Sequence, residues 1–330
     1  AKTLFPYTTL FRSTHVLFIG DTFQLPPIGH GAPLRDLIES GSVPVGELTE
    51  VRRNAGGIVN ACLKIKQGLP FETFLVYEPD EGKNIIFAET ATDEETVEAL
   101  EMLLSNIKKF DPVWESQVIV SRNEKTKLSR KTLNQLLKGL LNPNGRKVAN
   151  NPFAIDDKVI CLKNGFYKVV AIEEYLIHES DNAKAYSNVT KYNQFKEQYE
   201  PVEVFVANGE IGRVVAIAET QAIIQIESET ADLVRVLIGR MRHADDNDDE
   251  ENTNTAKGDG CDWTHGYAVT CHKMQGSETP LAVTLGDTQG GMVADRSWLY
   301  TAVSRARDLS ILIGPRKVFD AMLSRAKLDR

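Results

Sequence analysis

The sequence predicts an α/β fold in which a parallel sheet is interrupted by an inserted small β-barrel. Apolar strand-like runs alternate with helical patterns over the first half of the chain, which is typical of parallel sheets covered by helices on both faces. From about Phe153 to Gly239 the pattern changes to short strands separated by turn signals such as Asn208-Gly209. The alternation of strands and helices resumes near Ala268, so the β insert lies within an α/β domain.

The elements of the first half follow from apolar runs and the residues that interrupt them. The run from His15 to Ile19, stopped by Gly20, predicts a buried parallel strand that ends in a loop. Helical spacing of Ile58 and Ile65 predicts one helix, and Asp93 is expected to cap another. By the same rules, helices are predicted at Pro33 to Ser40 and Thr126 to Leu141, and strands at Ile85 to Phe87 and Gln117 to Val120.

The second half begins with the β insert. Its predicted strands are Lys158 to Leu162, Val202 to Val206, Gly212 to Ile217, Ala222 to Ile226 and Leu233 to Ile238. A polar stretch from Asn182 to Glu200 is expected to form a loop or a short helix, and acid-rich Asp245 to Gly260 a surface loop. Beyond it, strands are predicted at Ala268 to Cys271, Leu281 to Leu285 and Leu309 to Ile313, and helices at Arg296 to Arg307 and Lys317 to Lys327.

The first thirteen residues stand apart. Thr3 to Ser13 read TLFPYTTLFRS, which resembles the in-frame translation of a short-read sequencing adapter. The alternative is a genuine β-hairpin arm, since Tyr7, Thr8 and Thr9 favour strands. We interpret residues 1–13 as an artefact and expect the authentic sequence to begin near Thr14.

Composition and charge restrict the class of protein. Hydrophobic residues make up 42% of the 330 residues and charged residues 25%, as in soluble globular proteins. No run approaches the roughly 20 apolar residues of a membrane span, so we expect a cytoplasmic protein. The four scattered cysteines form no C-x-x-C pair, which disfavours a disulfide framework or a zinc site.

The charge is unevenly distributed along the chain. The net charge of −8 disfavours a nucleic-acid coat protein, yet Glu115 to Lys168 holds eleven Lys and Arg against four Asp and Glu. This local excess suits contact with phosphate groups, and a solvated helix surface explains it equally well.

The first of four motifs is LFIGDTFQLPPIGHG, from Leu17 to Gly31. Its Asp21 and Gln24 follow a predicted strand, at the place where open α/β sheets bind ligands. The amide of Gln24 can donate to a phosphate oxygen while it accepts from water, which suits sensing a terminal phosphate. A rigid turn with a surface glutamine is the alternative.

The other motifs supply arginines and a polar cluster. LTEVRRN, from Leu48 to Asn54, and WLYTAVSRAR, from Trp298 to Arg307, place arginine beside apolar runs. Arginine neutralises charge on a phosphoryl group well, although a single arginine is more often a surface or ion-pair residue. YAVTCHKMQGSE, from Tyr267 to Glu278, holds a density of polar side chains that packing does not explain: Thr270, His272, Lys273, Gln275, Ser277 and Glu278.

Taken in chain order, the four segments resemble motifs III, IV, V and VI of RecD-like superfamily 1B DNA helicases. Motif V lies in YAVTCHKMQGSE and motif VI in WLYTAVSRAR. The resemblance runs from about His15 to Gly314, and the β insert resembles the SH3-like domain of that family. It implies RecA-like P-loop NTPase domains with parallel sheets. The expected domains are a remnant of the first RecA-like domain at 14–48, a second one at 49–152 and 241–330, and the SH3-like insert at 153–240.

The resemblance also implies roles for single residues. Gln24 would couple the γ-phosphate of ATP to DNA, and Asp21 would support its loop. Arg53 and Arg305 would reach the γ-phosphate as arginine fingers, and Glu278 would approach the nucleotide sugar. The residues expected to bind the DNA backbone or relay to it are Thr270, His272, Lys273, Gln275 and Ser277.

The implied activity is that of an ATP- and Mg²⁺-dependent DNA helicase. It would translocate 5′ to 3′ on single-stranded DNA and unwind duplex DNA, with single-strand-binding protein or recombination subunits as candidate partners. Three features depart from the family pattern. Asn54 replaces a glutamine and Arg52 an aromatic residue, the insert is lengthened by Gly165 to Pro201, and no G-x-x-x-x-G-K-[ST] or strand-linked Asp-Glu pair occurs.

Three hypotheses remain open at this point. The first is a fragment of an adapter-truncated helicase gene, which would not hydrolyse ATP by itself. The second is an ATPase-silent nucleic-acid-binding module, and the third is the helicase part of a recombination nuclease or relaxase. Arg53 and Arg305 favour the first, because arginines placed for a γ-phosphate have no evident use without ATP.

Overall fold

The computed structural model describes residues 16–26, 31–48, 56–173, 185–227, 230–238, 262–290 and 293–325. Three parts of the sequence fall outside these ranges: the adapter-like segment, the residues Arg52, Arg53 and Asn54, and the acid-rich stretch. In the described part the helices are α1 Pro33–Glu39, α2 Gly56–Gln67, α3 Asp93–Asn106, α4 Arg130–Leu141, α5 Arg296–Val303 and α6 Arg316–Ser324.

The strands of the described part alternate with these helices at both ends of the chain and follow one another in its middle. They are β1 Ile85–Glu89, β2 Ser116–Val120, β3 Lys158–Cys161, β4 Gly165–Lys168, β5 Val170–Glu173, β6 Ala185–Asn188, β7 Thr190–Asn193, β8 Gln198–Pro201, β9 Glu203–Val206, β10 Ile211–Ala218, β11 Gln221–Ile226, β12 Leu233–Leu237, β13 Trp263–His265, β14 Ala268–Thr270, β15 Thr279–Leu285 and β16 Ala306–Gly314.

A five-stranded parallel sheet forms the main layer, in the order β1-β16-β15-β2-β14. Its strands are apolar on both faces because helices cover both. Ile119 of β2 packs with Trp298 of α5 on one face, while Val118 and Val120 pack with Leu133 of α4 on the other. This is the parallel α/β arrangement that the sequence predicts.

The β insert forms a second sheet with its own core. Its strands run in the order β12-β11-β10-β3-β13, and every neighbouring pair is antiparallel. Phe153, Val214, Ile224 and Trp263 are buried in this core. Strand β13 lies at residues 263–265, so the sheet draws on sequence beyond residue 240. The likeness to an SH3 barrel stays a prediction.

The expectation of a loop or short helix at Asn182 to Glu200 was wrong for the residues that are described. Strands β6 and β7 and part of β8 occupy this stretch. Strand β6 pairs with β5, and β7 pairs with β8, both in antiparallel two-stranded sheets. The alternation of apolar and polar side chains that marks a half-buried strand is weak in this stretch of sequence. In the structure even its aromatic residues Phe195 and Tyr199 are exposed.

The predicted strand from His15 to Ile19 was also wrong. Residues 16–20 have no strand conformation, and the side chains of Leu17 and Ile19 are exposed. A parallel strand needs a neighbouring strand to satisfy its backbone groups, and among the described strands none lies beside this segment.

Three helix boundaries differ from expectation. Thr92, not Asp93, caps α3, because its hydroxyl accepts from the Glu95 amide at 3.2 Å. The carboxylate of Asp93 instead accepts from the amide and the hydroxyl of Thr288, at 3.1 and 2.9 Å. Helix α4 begins at Arg130 rather than Thr126, and α5 ends at Val303, so Arg305 follows the helix rather than lying on it.

Two buried charges connect the insert to the parallel sheet. The Asp157 carboxylate accepts from Lys138, His265 and Tyr267 at 2.8, 3.0 and 3.1 Å. Burial alone raises the pKa of Asp157, but the hydrogen bonds from His265 and Lys138 outweigh it and hold the pKa well below its usual range. The Lys158 ammonium donates to the Val113 and Ser116 carbonyls, at 2.7 and 2.9 Å.

In the part of the chain that the structure describes, no helix has the length and apolar character needed to cross a membrane.

Lys138 and Lys158 belong to the basic stretch from Glu115 to Lys168, and both direct their charge into these interior contacts. The basic surface is therefore smaller than the sequence count indicates.

The buried amine of Lys158 predicts a pH dependence of stability. Burial lowers its pKa to about 8, against roughly 10.4 in an unfolded chain. Between these values the unfolded chain binds more protons, so this residue makes the free energy of unfolding rise with pH. Relative to Lys158→Met, the wild type should gain on the order of 2 kcal/mol from pH 8 to pH 10.

Urea unfolding across that pH range measures the difference. The matched control is Lys163→Met, because Lys163 is exposed and lies five residues away on the same segment. Parallel pH curves for the wild type and Lys158→Met would show that Lys158 has no depressed pKa.

Candidate functional site

The site is built around the Gln24 loop, residues 20–26, which lies against α5. The Asp21 carboxylate accepts from the Phe23 amide at 2.9 Å and from the Tyr300 hydroxyl at 2.8 Å. Gln24 donates its side-chain amide to the same carboxylate at 3.4 Å, and its backbone amide to the Asp21 carbonyl at 3.2 Å. Asp21 therefore shapes the loop and fixes it to the helix.

Leu25 connects this loop to two other segments. Its side chain is buried, and its amide donates to the Thr301 hydroxyl of α5 at 2.9 Å. Its carbonyl accepts from the Gln275 side-chain amide at 2.8 Å. Gln275 belongs to the His272 loop, residues 271–278, which follows β14. One buried residue thus joins the Gln24 loop, α5 and the His272 loop.

Two aromatic rings and a lysine add to the contact between the Gln24 loop and α5. The rings of Phe23 and Tyr300 meet edge to face with centroids 6.4 Å apart. The Lys66 ammonium of α2 lies 4.6 Å from the Phe23 centroid and 5.0 Å from that of Tyr300. Burial raises the pKa of the Tyr300 phenol, and the neighbouring Asp21 carboxylate raises it further, so Tyr300 stays a hydrogen-bond donor.

Helix α5 holds its position because its sequence is almost wholly buried. Asp295 caps it by accepting from the Trp298 amide at 2.9 Å, and every residue from Ser297 to Val303 is buried. Thr301 can point a hydroxyl at Leu25 because that hydroxyl also donates to the Ser297 carbonyl at 2.7 Å. The helix is a rigid support for the loop.

Arg305 is buried and fully engaged by the protein. Its Nε donates to the Thr301 carbonyl at 3.1 Å, and its Nη1 to the Ser277 and Met274 carbonyls at 2.9 and 3.4 Å. Its Nη2 donates to the Ser304 hydroxyl at 3.1 Å. In this conformation Arg305 ties α5 to the His272 loop, and reaching a phosphate would require it to exchange these partners.

The predicted DNA-contact residues do not all face one surface. Thr270 is buried at the end of β14, His272 and Ser277 are half-buried, and Gln275 is exposed. Lys273 turns toward the β insert, where its ammonium donates to the Leu162 carbonyl at 3.1 Å and to the Asn208 side chain. Burial lowers the pKa of Lys273.

The structure therefore brings together Asp21, Gln24, Gln275, Ser277 and Arg305, while Lys273 joins the insert instead. Glu278 is exposed on the His272 loop, and Arg53 lies outside the described residues. Sequence reasoning missed Tyr300 and Thr301, although both lie inside WLYTAVSRAR, because only the arginines of that motif suggested phosphate chemistry. It also missed Lys66, for which the sequence gives no signal.

Two segments of the chain match domain families. Residues 265–313, which include the His272 loop, α5 and Arg305, match the UvrD-like helicase C-terminal domain. Residues 7–83, which include the Gln24 loop, match an AAA domain. The first match includes the segments that resemble motifs V and VI, and the second includes those that resemble motifs III and IV. Neither match singles out the RecD-like branch.

Solved structures similar to this chain are Pif1 helicases. The Bacteroides Pif1 helicase in complex with ADP-AlF3 and single-stranded DNA is 15% identical, with a TM-score of 0.42, and the match covers 92% of this chain and 62% of that one. The Candida albicans Pif1 helicase is 13% identical, with a TM-score of 0.42 and coverage of 91% and 66%. The likeness is remote, and the chain spans less than two thirds of either structure.

The buried contacts of Arg305 predict a cost in stability when they are lost. Arg305→Ala leaves buried carbonyls without a donor and creates a cavity, so the free energy of unfolding should fall by roughly 3 kcal/mol. Arg307→Ala is the matched control, because Arg307 is exposed and pairs only with Asp308 in the contacts seen here. It should change stability by less than about 0.5 kcal/mol.

Denaturant unfolding of both variants tests this prediction. Equal stabilities for Arg305→Ala and Arg307→Ala would contradict the buried hydrogen-bond network around Arg305.

Proposed function

We propose, on the premise that the chain carries superfamily 1B helicase sequence, that it is the phosphate-sensing and DNA-gripping part of an ATP-dependent DNA helicase that moves 5′ to 3′ on single-stranded DNA. The observation that carries the proposal is the joint at Leu25, where the Gln24 loop is bonded to both α5 and the His272 loop. A motor needs such a connection between the segment that senses nucleotide and the segment that holds DNA.

The residues around the Gln24 loop fit the phosphate end of a nucleotide. Gln24 is half-buried at the loop surface, and its amide is held only by a long contact to Asp21, so it can turn to a phosphate oxygen. Arg305 supplies a guanidinium beneath the loop, and Arg53 would supply a second one. ATP binding would then draw Arg305 from its carbonyl partners toward the γ-phosphate.

Mg²⁺ fits less well with the residues that the structure describes. Asp21 is the carboxylate closest to Gln24 along the chain, and its oxygens already accept from Phe23 and Tyr300. Within the described ranges, no cluster of three potential metal-binding side chains occurs. The described residues therefore do not by themselves offer a site that fits Mg²⁺, and no proposed step depends on the ion.

Coupling would pass through hydrogen bonds that the chain already contains. A shift of Gln24 toward a γ-phosphate moves Leu25, and Leu25 bears directly on Gln275 of the His272 loop. Release of Arg305 from the Ser277 carbonyl frees the other end of the same loop. Thr270, His272 and Ser277 would then exchange contacts with the DNA backbone as nucleotide binds and leaves.

A second candidate is an ATPase-silent nucleic-acid-binding module. The specific observation in its favour is that Arg305 donates hydrogen bonds to backbone carbonyls and to a serine of its own chain. The same arrangement would hold the His272 loop in place for DNA without any nucleotide.

A chimera distinguishes these functions. Joining the chain to a homologous N-terminal RecA-like domain that supplies the Walker A and B motifs should give DNA-stimulated ATP hydrolysis. Gln24→Ala should reduce the DNA stimulation by roughly a hundredfold, because the terminal-phosphate sensor is lost, while DNA affinity stays the same. Gln289→Ala, which removes an exposed glutamine outside the four motifs, is the control.

Steady-state ATPase rates with and without oligonucleotide, and strand-displacement assays, provide the measurements. DNA binding without hydrolysis would favour the silent module. Full stimulation in Gln24→Ala would show that Gln24 is not the sensor.

A further inference from the structure

A cavity of about 280 Å³ lies beside the Gln24 loop. It is bounded by the loop, by α1, by the end of α2 and by the start of α5. Its walls include Phe23, Arg35, Ile38, Lys66, Arg296 and Tyr300. Three of these side chains are cationic, and Glu39 is the single acid on the wall.

Two of the three cations lack a carboxylate partner. In the described ranges, neither Lys66 nor Arg296 forms an ion pair, whereas Arg35 lies 3.7 Å from Glu39, which is mostly exposed. Lys66 is stabilised instead by the Phe23 and Tyr300 rings. The described residues that line the cavity include three cations and one acid, so this lining carries a net positive charge.

Arg296 is held in place by the backbone around it. Its Nε donates to the Leu323 carbonyl at 3.0 Å. Its guanidinium lies against Gly68, where an added Cβ would come within 2.4 Å of Nη2 and the backbone has a φ of +70°. A side chain at position 68 would displace Arg296, so glycine is required there for two reasons. This packing sets the guanidinium at the cavity wall.

The cavity is separate from the predicted finger arginine. Arg296 begins α5 and Arg305 follows its end, and the eight-residue helix between them is roughly 12 Å long. Arg305 is not among the described residues that line the cavity, and its Nη1 donates to the Met274 and Ser277 carbonyls instead. In this conformation a phosphate at the cavity wall would contact Arg296 rather than Arg305.

The cavity lies toward the edge of the sheet where ligands approach. Helix α5 begins after the carboxyl end of β15 and returns the chain to the start of β16. Its first turn therefore faces the carboxyl edge of the parallel sheet, the edge at which Thr270 ends β14 and where open α/β sheets bind ligands.

We propose that Lys66, Arg296 and Arg35 form a second phosphate site, which binds a backbone phosphate of single-stranded DNA while Phe23 provides a ring for the adjoining nucleoside. The polynucleotide source rests on the proposed function; the phosphate chemistry rests on the cavity alone. The site would grip DNA on the outer side of the Gln24 loop, so that the loop lies between two phosphates of different origin.

Binding of a labelled oligothymidylate to the 330-residue chain, measured by fluorescence anisotropy across a range of salt, tests the proposal. Lys66→Gln and Arg296→Gln should each weaken binding roughly tenfold and reduce the slope of log affinity against log salt by about one. Lys64→Gln is the matched control, because Lys64 is exposed on the same helix and does not line the cavity. Lys66→Arg should retain binding, and thermal melting checks that each variant is folded.

Two further probes separate the sources of phosphate. An oligothymidylate with an uncharged methylphosphonate backbone should bind no more tightly to the wild type than to Lys66→Gln. Inorganic phosphate, titrated as a competitor, should displace the charged oligonucleotide only weakly from the wild type.

Each outcome decides a separate claim. If the wild type binds DNA and the cavity variants match Lys64→Gln, the second site is overturned and the proposed function stands. If the wild type does not bind DNA, the proposed function fails. In that case, binding of inorganic phosphate that is lost in Lys66→Gln would overturn the DNA source, and no phosphate binding would overturn the site as well.

Discussion

The structure depends on one buried junction, at which Leu25 gives its amide to Thr301 and receives the side-chain amide of Gln275 on its carbonyl. The bond to Thr301 is buried, in a low-dielectric environment where an unpaired backbone group is costly and a made bond is strong, and the bond from Gln275 is partly buried. The junction therefore fixes the Gln24 loop relative to α5 and the His272 loop. A few hydrogen bonds therefore separate the proposed phosphate sensor, Gln24, from the His272 loop that is proposed to contact DNA.

Tyr300 and Arg305 add further hydrogen bonds to the two loops that meet at this junction. Tyr300 holds Asp21 from the near side of α5, while Arg305 holds the His272 loop from its end through the Ser277 carbonyl. A guanidinium bound to carbonyls can change partners when a phosphate offers a stronger, charge-assisted bond. The same residue thus serves as a structural clamp in this conformation and as a candidate sensor in another.

Much of the fold followed from the sequence because its signals are local. Ser116–Val120 is a short apolar run, Gly56–Gln67 has a helical apolar face, and both form as predicted. The error at Asp93 was a shift of one residue, because Thr92 is an equally good cap and Thr92 with Glu95 has the spacing of a capping box. The strand predicted at His15 to Ile19 failed because its stability depends on a neighbouring strand, which a local pattern does not encode.

The sequence predicted several residues of the candidate site but not the contacts between them. The motifs identified Asp21, Gln24, Gln275 and Arg305, which the structure brings together. Their spacing along the chain says nothing about which carbonyls Arg305 binds, since those contacts join residues about thirty positions apart. Lys273 illustrates the same limit, because its partner Asn208 lies in the turn between β9 and β10 of the insert, 65 positions away.

The most direct test of the junction is amide hydrogen exchange at Leu25 in the wild type and in Thr301→Val, which removes the acceptor hydroxyl with little change in shape. The account predicts that the Leu25 amide exchanges at least about tenfold faster in Thr301→Val, which corresponds to the loss of one net hydrogen bond. The neighbouring Gln24 amide should follow, while amides in β2 keep their protection. Unchanged exchange at Leu25 would contradict the account, because the Gln24 loop would then hold its position without α5.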